Sequence, residues 1–151
     1  MSWILGGDDH SSFAAVFGLR PNLYAEYQRF EALLWSRRPV DPTVLELCRH
    51  RIAQLLGDAA EPPRDTGLAE KVAALDAWKT APGFSAVERA CLTFAEKFVL
   101  SPHSITDADA AAVTAHLSAK EMVAFTEALA LFDGFTRFRI ILGVTADGKS
   151  G

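Results

Sequence analysis

Apolar residues recur at three- and four-residue intervals along most of the chain, and no stretch alternates convincingly with a period of two. That spacing predicts helices throughout. Start and stop signals divide them. A short helix is predicted over Ser11 to Phe17, and a second from Pro21, a natural first helical residue, to about Ser36. The third opens with Asp41 as N-cap and Pro42 in its first position, and closes near Gly57. A fourth is predicted over Leu68 to Thr80, stopped by Pro82 and Gly83. Ser85-Ala-Val-Glu88 is a capping box opening a fifth helix that runs to about Leu100. A sixth runs from Thr106 to about Leu117, and Ser118-Ala-Lys-Glu121 opens a seventh that ends at Leu142 and Gly143. The expected fold is all-α, a compact bundle of six to seven helices.

The third helix carries the most chemistry. At about 100° per residue, Val44, Leu45, Leu47, Cys48, Ile52, Leu55 and Leu56 fall on one broad apolar face. Arg51 lies inside that arc and needs a partner, because an unpaired buried guanidinium is not tolerated. Asp133 on the last helix, which shares a face with Arg137, is the candidate. The opposite face carries Glu46, Arg49, His50 and Ala53. Glu46 and His50 stand one turn apart, a spacing that fits either an acid/base pair or a solvated surface pair. A metal site built on them would need further ligands, and His10, His103 and His116 have no ligand spacing, so no metal is expected.

A length of 151 residues predicts one domain and one core, spanning about residues 14–144, with ragged ends over 1–10 and 145–151. Residues 59–66 are expected to be irregular as well. A net charge of -4 leaves no basic footprint for nucleic acid. The longest apolar stretch, Met122 to Val144, contains Glu127, Asp133, Arg137 and Arg139. Those charges predict a core helix rather than a membrane span. The first residues lack the basic region of a signal peptide, and two cysteines without an export signal point to a reducing cytoplasm. The tyrosines and phenylalanine at 24, 27 and 30, with Trp35, suit either core packing or an interface.

The stretch Leu45-Glu-Leu-Cys-Arg-His-Arg-Ile-Ala-Gln-Leu-Leu-Gly57 resembles the signature helix of the carboxymuconolactone decarboxylase / alkyl hydroperoxidase D superfamily. Members show a Glu-Leu pair, then Arg-Val-Ala-x-Leu-x-Gly, leading into Cys-x-x-Cys with a histidine four residues later. Glu46, Arg51, Ala53, Leu55 and Gly57 match at the right spacing. Further similarity lies in Phe84 to Phe98, with Glu88, Arg89 and Glu96, and in Ile105 to Gly143, including Arg137. Upstream, Phe17-Gly-Leu-Arg-Pro-Asn-Leu resembles the family's entry into its first long helix. The resemblance implies an alkyl hydroperoxidase D-like fold and self-association as dimers or trimer-based assemblies, without a cofactor.

The departure from that pattern bears on function. Asp58 and Glu61 stand where members carry the two cysteines, and Asp65 where they carry the histidine. A carboxylate has no thiol–disulfide cycle, so dithiol peroxidase chemistry is not available there. Cys48 and Cys91 sit in mid-helix on apolar faces, where cysteine behaves as a small inert hydrophobe. The decarboxylase branch also lacks the cysteine pair, but it carries a histidine after the motif, and none stands between His50 and His103. Two readings remain, with residual peroxidase activity a third. One is an acid/base enzyme on a small molecule, with Glu46, Asp58, Glu61 and His50 as catalytic candidates and Arg49, Arg51, Arg64 and Arg137 as binding candidates. Its carboxylates would raise one another's pKa. The other is a non-catalytic oligomeric binding or scaffold protein, favoured by the shortening around Pro62 and Pro63.

Overall fold

The computed structural model describes residue 4 and residues 12–36, 39–59 and 61–144. The raggedness expected of residues 1–10 and 145–151 therefore falls, Ile4 apart, outside the described residues, as does His10. Among the described residues the regular elements are all helical. They are α1 (Phe13–Phe17), α2 (Pro21–Ser36), α3 (Pro42–Leu56), α4 (Ala69–Ala73), α5 (Ala86–Leu100), α6 (Asp107–Thr114) and α7 (Ala119–Leu142), with three short 3-10 turns. No helix among them is long and apolar enough to cross a membrane.

The predicted ends are set by the predicted chemistry. Asp41 accepts from the Thr43 N–H at 2.8 Å and opens α3, while Gly57, at φ 74°, closes it in the left-handed region that favours glycine. The predicted capping boxes open α5 and α7 at Ser85 and Ser118, and a further one that was not predicted opens α6 at Thr106. The predicted fourth helix differs. Residues 66–77 form a 3-10 turn, the five residues of α4 and a second 3-10 turn. Leu75 and Trp78 are both buried, and the tighter 3-10 winding aligns residues three apart on one face toward the core. Tertiary anchoring outweighs the helical spacing there.

At the centre, α3 packs against both α5 and α7. Leu45, Leu47, Cys48 and Ile52 from α3, Cys91, Leu92 and Ala95 from α5, and Phe125, Ala128 and Leu129 from α7 are all fully buried. Three charged residues from the motif segment of α5 brace this core. Glu88 accepts from Lys71 at 2.8 and 2.9 Å while capping its own helix. Arg89 donates to the carbonyls of Trp78, Lys79, Ala81 and Phe84. Glu96 accepts from Arg51 and from the Trp78 indole, at 2.8 and 2.9 Å, and pairs with Lys79. Arg51 therefore finds its partner on α5 and not in Asp133, which pairs with Arg137 one turn along α7 at 2.9 Å. The reason is packing: α5 lies directly against α3.

On the other side, α2 buries only Leu34. Tyr24 and Tyr27 join Phe13, Phe17, Phe135 and Phe138 in an aromatic cluster that ties α1 and α2 to α7, with centroids 4.4 to 6.4 Å apart. Core packing thus accounts for the two tyrosines, while Phe30 is 38% exposed.

Candidate functional site

The face of α3 opposite the core is also covered. Glu46 is 2% exposed, His50 5% and Ala53 1%, so the solvated surface pair that the spacing allowed is not what forms. The chain after Gly57 folds back over this face. Arg49 Nη2 donates to the carbonyls of Glu61 and Pro62 at 3.3 and 3.4 Å, and the Arg64 N–H donates to Glu46 Oε1 at 3.4 Å. The proline-rich segment thus roofs the helix.

Glu46 is the hub beneath that roof. Its Oε2 accepts from Arg49 Nη2 at 2.8 Å and Nε at 3.3 Å, and Arg64 Nε lies 3.6 Å from Oε1. His50 Nε2 is 3.6 Å from Glu46 but 3.2 Å from Arg49 Nη2. Burial pushes the Glu46 carboxyl up, but His50, the Arg49 charge and hydrogen bond, and the Arg64 N–H together hold it below the ordinary glutamate value of 4.5. Glu46 is therefore a standing anion and not a proton donor. For Glu46 this runs against the expectation that clustered carboxylates would raise its pKa, because its nearest charge is an arginine and not another acid. Asp58 accepts from Arg139 Nε and Nη2 at 3.1 and 3.0 Å, and Glu31 accepts from Arg64.

Three of these arginines reach the same opening. A cleft of about 70 Å³ lies between α2, α7 and the 61–64 segment, walled by Arg49, Arg64, Arg139, Glu31, Glu61 and Thr136 together with aromatic rings. It is roomy enough for about two water molecules or one small polar group. Arg64 also lies over the Trp35 ring, 4.4 Å from its centroid, and the buried Trp35 Nε1–H has no partner among the described residues. Tyr27 lines the cleft too, its hydroxyl pushed up to about 12 by burial first and the Glu31 charge next, with Arg139 and Arg64 pulling the other way. That phenol stays protonated at neutral pH.

Of the residues named from sequence, Glu46, Arg49, His50, Glu61 and Arg64 come together, and Asp58 joins through Arg139. Arg51 and Arg137 do not line the cleft; their partners are Glu96 and Asp133. Asp65 caps a 3-10 turn by accepting from the Gly67 N–H at 2.8 Å. Tyr27, Glu31, Thr136 and Arg139 were not expected at a site. Arg139 did carry a signal, since a charge within an apolar helix needs a partner.

Both cysteines are free and fully buried. Burial raises the Cys48 thiol well above its ordinary value, with the neighbouring Cys91 adding to it, and burial alone pushes Cys91 up to about 12. Among the described residues no group of three or more His, Cys, Asp or Glu is placed to hold a metal ion.

The fold and cleft define an all-α bundle with an arginine-walled polar cleft and two buried thiols. No family model matches the chain. It is similar to YnjA, an uncharacterised protein of Escherichia coli strain K12, at 29% identity over 120 residues. The match takes in 75% of this chain and 66% of YnjA, just under two thirds of that protein's length.

Proposed function

We propose that this chain is a divergent carboxymuconolactone decarboxylase / alkyl hydroperoxidase D-like protein that binds a small molecule without dithiol chemistry. The observation carrying the binding reading is the buried Glu46 hub, which holds Arg49 and Arg64 in the wall of a cleft that Arg139 completes. Each guanidinium is fixed from behind by a carboxylate, so donors are pre-positioned at little entropic cost on binding. The superfamily reading is supported by Glu46, Arg51, Ala53, Leu55 and Gly57 at motif spacing and by the helical bundle. Peroxidase chemistry has no support from two thiols that are buried and raised. A cytoplasmic setting and self-association belong to the same proposal. Exposed Leu19 just before α2, Leu33 on α2 and Val123 on α7 are apolar surface suited to the latter.

One observation favours an acid/base enzyme as a second reading. Glu61 is the cleft carboxylate with no ion pair among the described residues, so it is the group free to take a proton from a bound molecule. The binding reading is tested by following the side-chain Nε–H resonances of Arg49 and Arg139 while titrating acetate. Saturable shifts at both, weakened in Arg139→Gln, are expected. Absence of a saturable shift overturns it. The enzymatic reading then requires a proton-transfer activity lost in Glu61→Gln with binding intact.

A further inference from the structure

A second, larger depression adjoins the cleft. An open groove of about 500 Å³ runs between α2 and α7, and its exposed lining is mostly apolar, with Leu23, Phe30 and Phe138 in addition to Tyr27, Leu131 and Phe135, and Glu26 the charged residue among them. Tyr27, Leu131 and Phe135 also line the polar cleft, so the two spaces share a wall. Leu23 is 54% exposed and Phe30 38%, large side chains whose apolar surface has nothing over it within the described residues. A volume of this size falls within the range of small-molecule sites.

The polar end specifies what the head of an occupant must be. Asp58 takes the Nε and Nη2 edge of Arg139, and Glu46 takes the same edge of Arg49. Neither Nη1 has a partner among the described residues. Two guanidinium donors thus remain for an incoming acceptor, and a carboxylate is an acceptor that arginine pairs with well. The wall carries Arg49, Arg64 and Arg139 with Glu31 and Glu61, and Glu46 and Asp58 answer the arginines from behind, so a head is held by the open Nη1 donors and not by an excess of positive charge. Glu61 is exposed, where water and salt screen its charge. Tyr27 lines both cleft and groove, and its protonated hydroxyl is a further donor.

We propose that the cleft and groove together bind an anionic amphiphile, a monocarboxylate with its head between Arg49 and Arg139 and an unbranched or aromatic tail along Leu23, Phe30 and Phe138. This rests on the small-molecule reading above and adds the ligand class. One acid head fills the polar cleft, and the tail replaces water over the exposed leucine and phenylalanine. Affinity should therefore climb with tail length, whereas a site for small polar acids would not respond to it.

The test is calorimetric titration of the full chain with acetate, octanoate, decanoate and dodecanoate, each below its micelle concentration, with decylamine and decanol as controls. Binding at one site per chain is expected, tightening up to about tenfold for each added pair of methylenes. Leu23→Glu and Phe30→Glu, both at exposed positions, should flatten that dependence while leaving the acetate response of the arginine resonances in place. Arg139→Gln should weaken decanoate at least about tenfold and leave decanol unchanged. Acids that bind equally whatever their length overturn the tail assignment and leave the cleft reading standing. Decylamine or decanol binding as tightly as decanoate overturns the head assignment. A wild-type dimer that Leu23→Glu splits, with no decanoate binding, assigns the groove to a second copy of the chain and overturns the proposal. No response to any acid, acetate included, removes both this and the cleft reading.

Discussion

Replacing Glu46 by glutamine removes one charge and almost nothing else from the centre of the cluster. Glutamine keeps the shape and one acceptor oxygen, so the packing around α3 is preserved. What is lost is the anion that answers Arg49 at 2.8 Å and Arg64 at 3.6 Å. Breaking a buried ion pair costs about 3–5 kcal/mol when the surviving charge stays buried. The Arg49 side chain keeps 17% exposure and gains some water, which places the expected loss near ~3 kcal/mol. The chain should still fold, since domains of this size are stable by about 5–15 kcal/mol. Urea unfolding followed by tryptophan fluorescence would show the midpoint falling by about 1.5 M for a slope near 2 kcal/mol/M.

The pH dependence supplies an independent check on that value. Burial raises the Glu46 carboxyl, but His50, Arg49 and the Arg64 N–H outweigh it and hold the folded value below 4.5. A depressed folded value adds stability above the unfolded value, and that stability is lost as pH falls through the folded one. The gap between wild type and Glu46→Gln should therefore be flat from neutral pH down to about 4.5 and close below it. A gap under ~1 kcal/mol at neutral pH, the range of an exposed pair, or a gap that persists unchanged in acid, refutes the account of Glu46 as a buried anionic hub.

Three further outcomes follow from the same geometry. Cys48 and Cys91 should resist a thiol-labelling reagent in the folded protein and react only on unfolding; hydroperoxide turnover with a dithiol reductant that vanishes in Cys48→Ser would contradict this. Gly57→Ala should cost about 1 kcal/mol in thermal or urea unfolding, because alanine is strained at φ 74° although open space surrounds the position. Asp58→Asn should cost about 1–2 kcal/mol by removing the charge from a two-bond contact between the end of α3 and Arg139, and should raise amide exchange in residues 58–64.

The helical frame was legible because its boundaries rest on local chemistry. Asp41, Gly57 and the capping boxes at Ser85 and Ser118 work through their own backbone, so spacing alone locates them. The 66–77 segment was not legible, since the anchors Leu75 and Trp78 act through a core assembled from distant helices. The site divides in the same way. Glu46, Arg49 and His50 lie within two turns of one helix, and their proximity follows from helical spacing. Their burial does not, because it depends on Arg64 returning 18 residues later to roof them. Arg139 meets Asp58 across 81 residues, a pairing that no local pattern encodes. Arg51 was rightly marked as needing a partner, but the identity of that partner, Glu96, required knowing which helix packs beside α3.

The central claim is that the space between Arg49 and Arg139 is a ligand site rather than a seam of internal salt bridges. A crystal structure grown with decanoate tests it most directly. The account predicts carboxylate density bonded to both Nη1 groups, with Glu46 and Asp58 still holding the opposite edges and the chain lying over Leu23 and Phe30. An empty cleft at a decanoate concentration that saturates the calorimetric response, with the acid bound elsewhere, would contradict it.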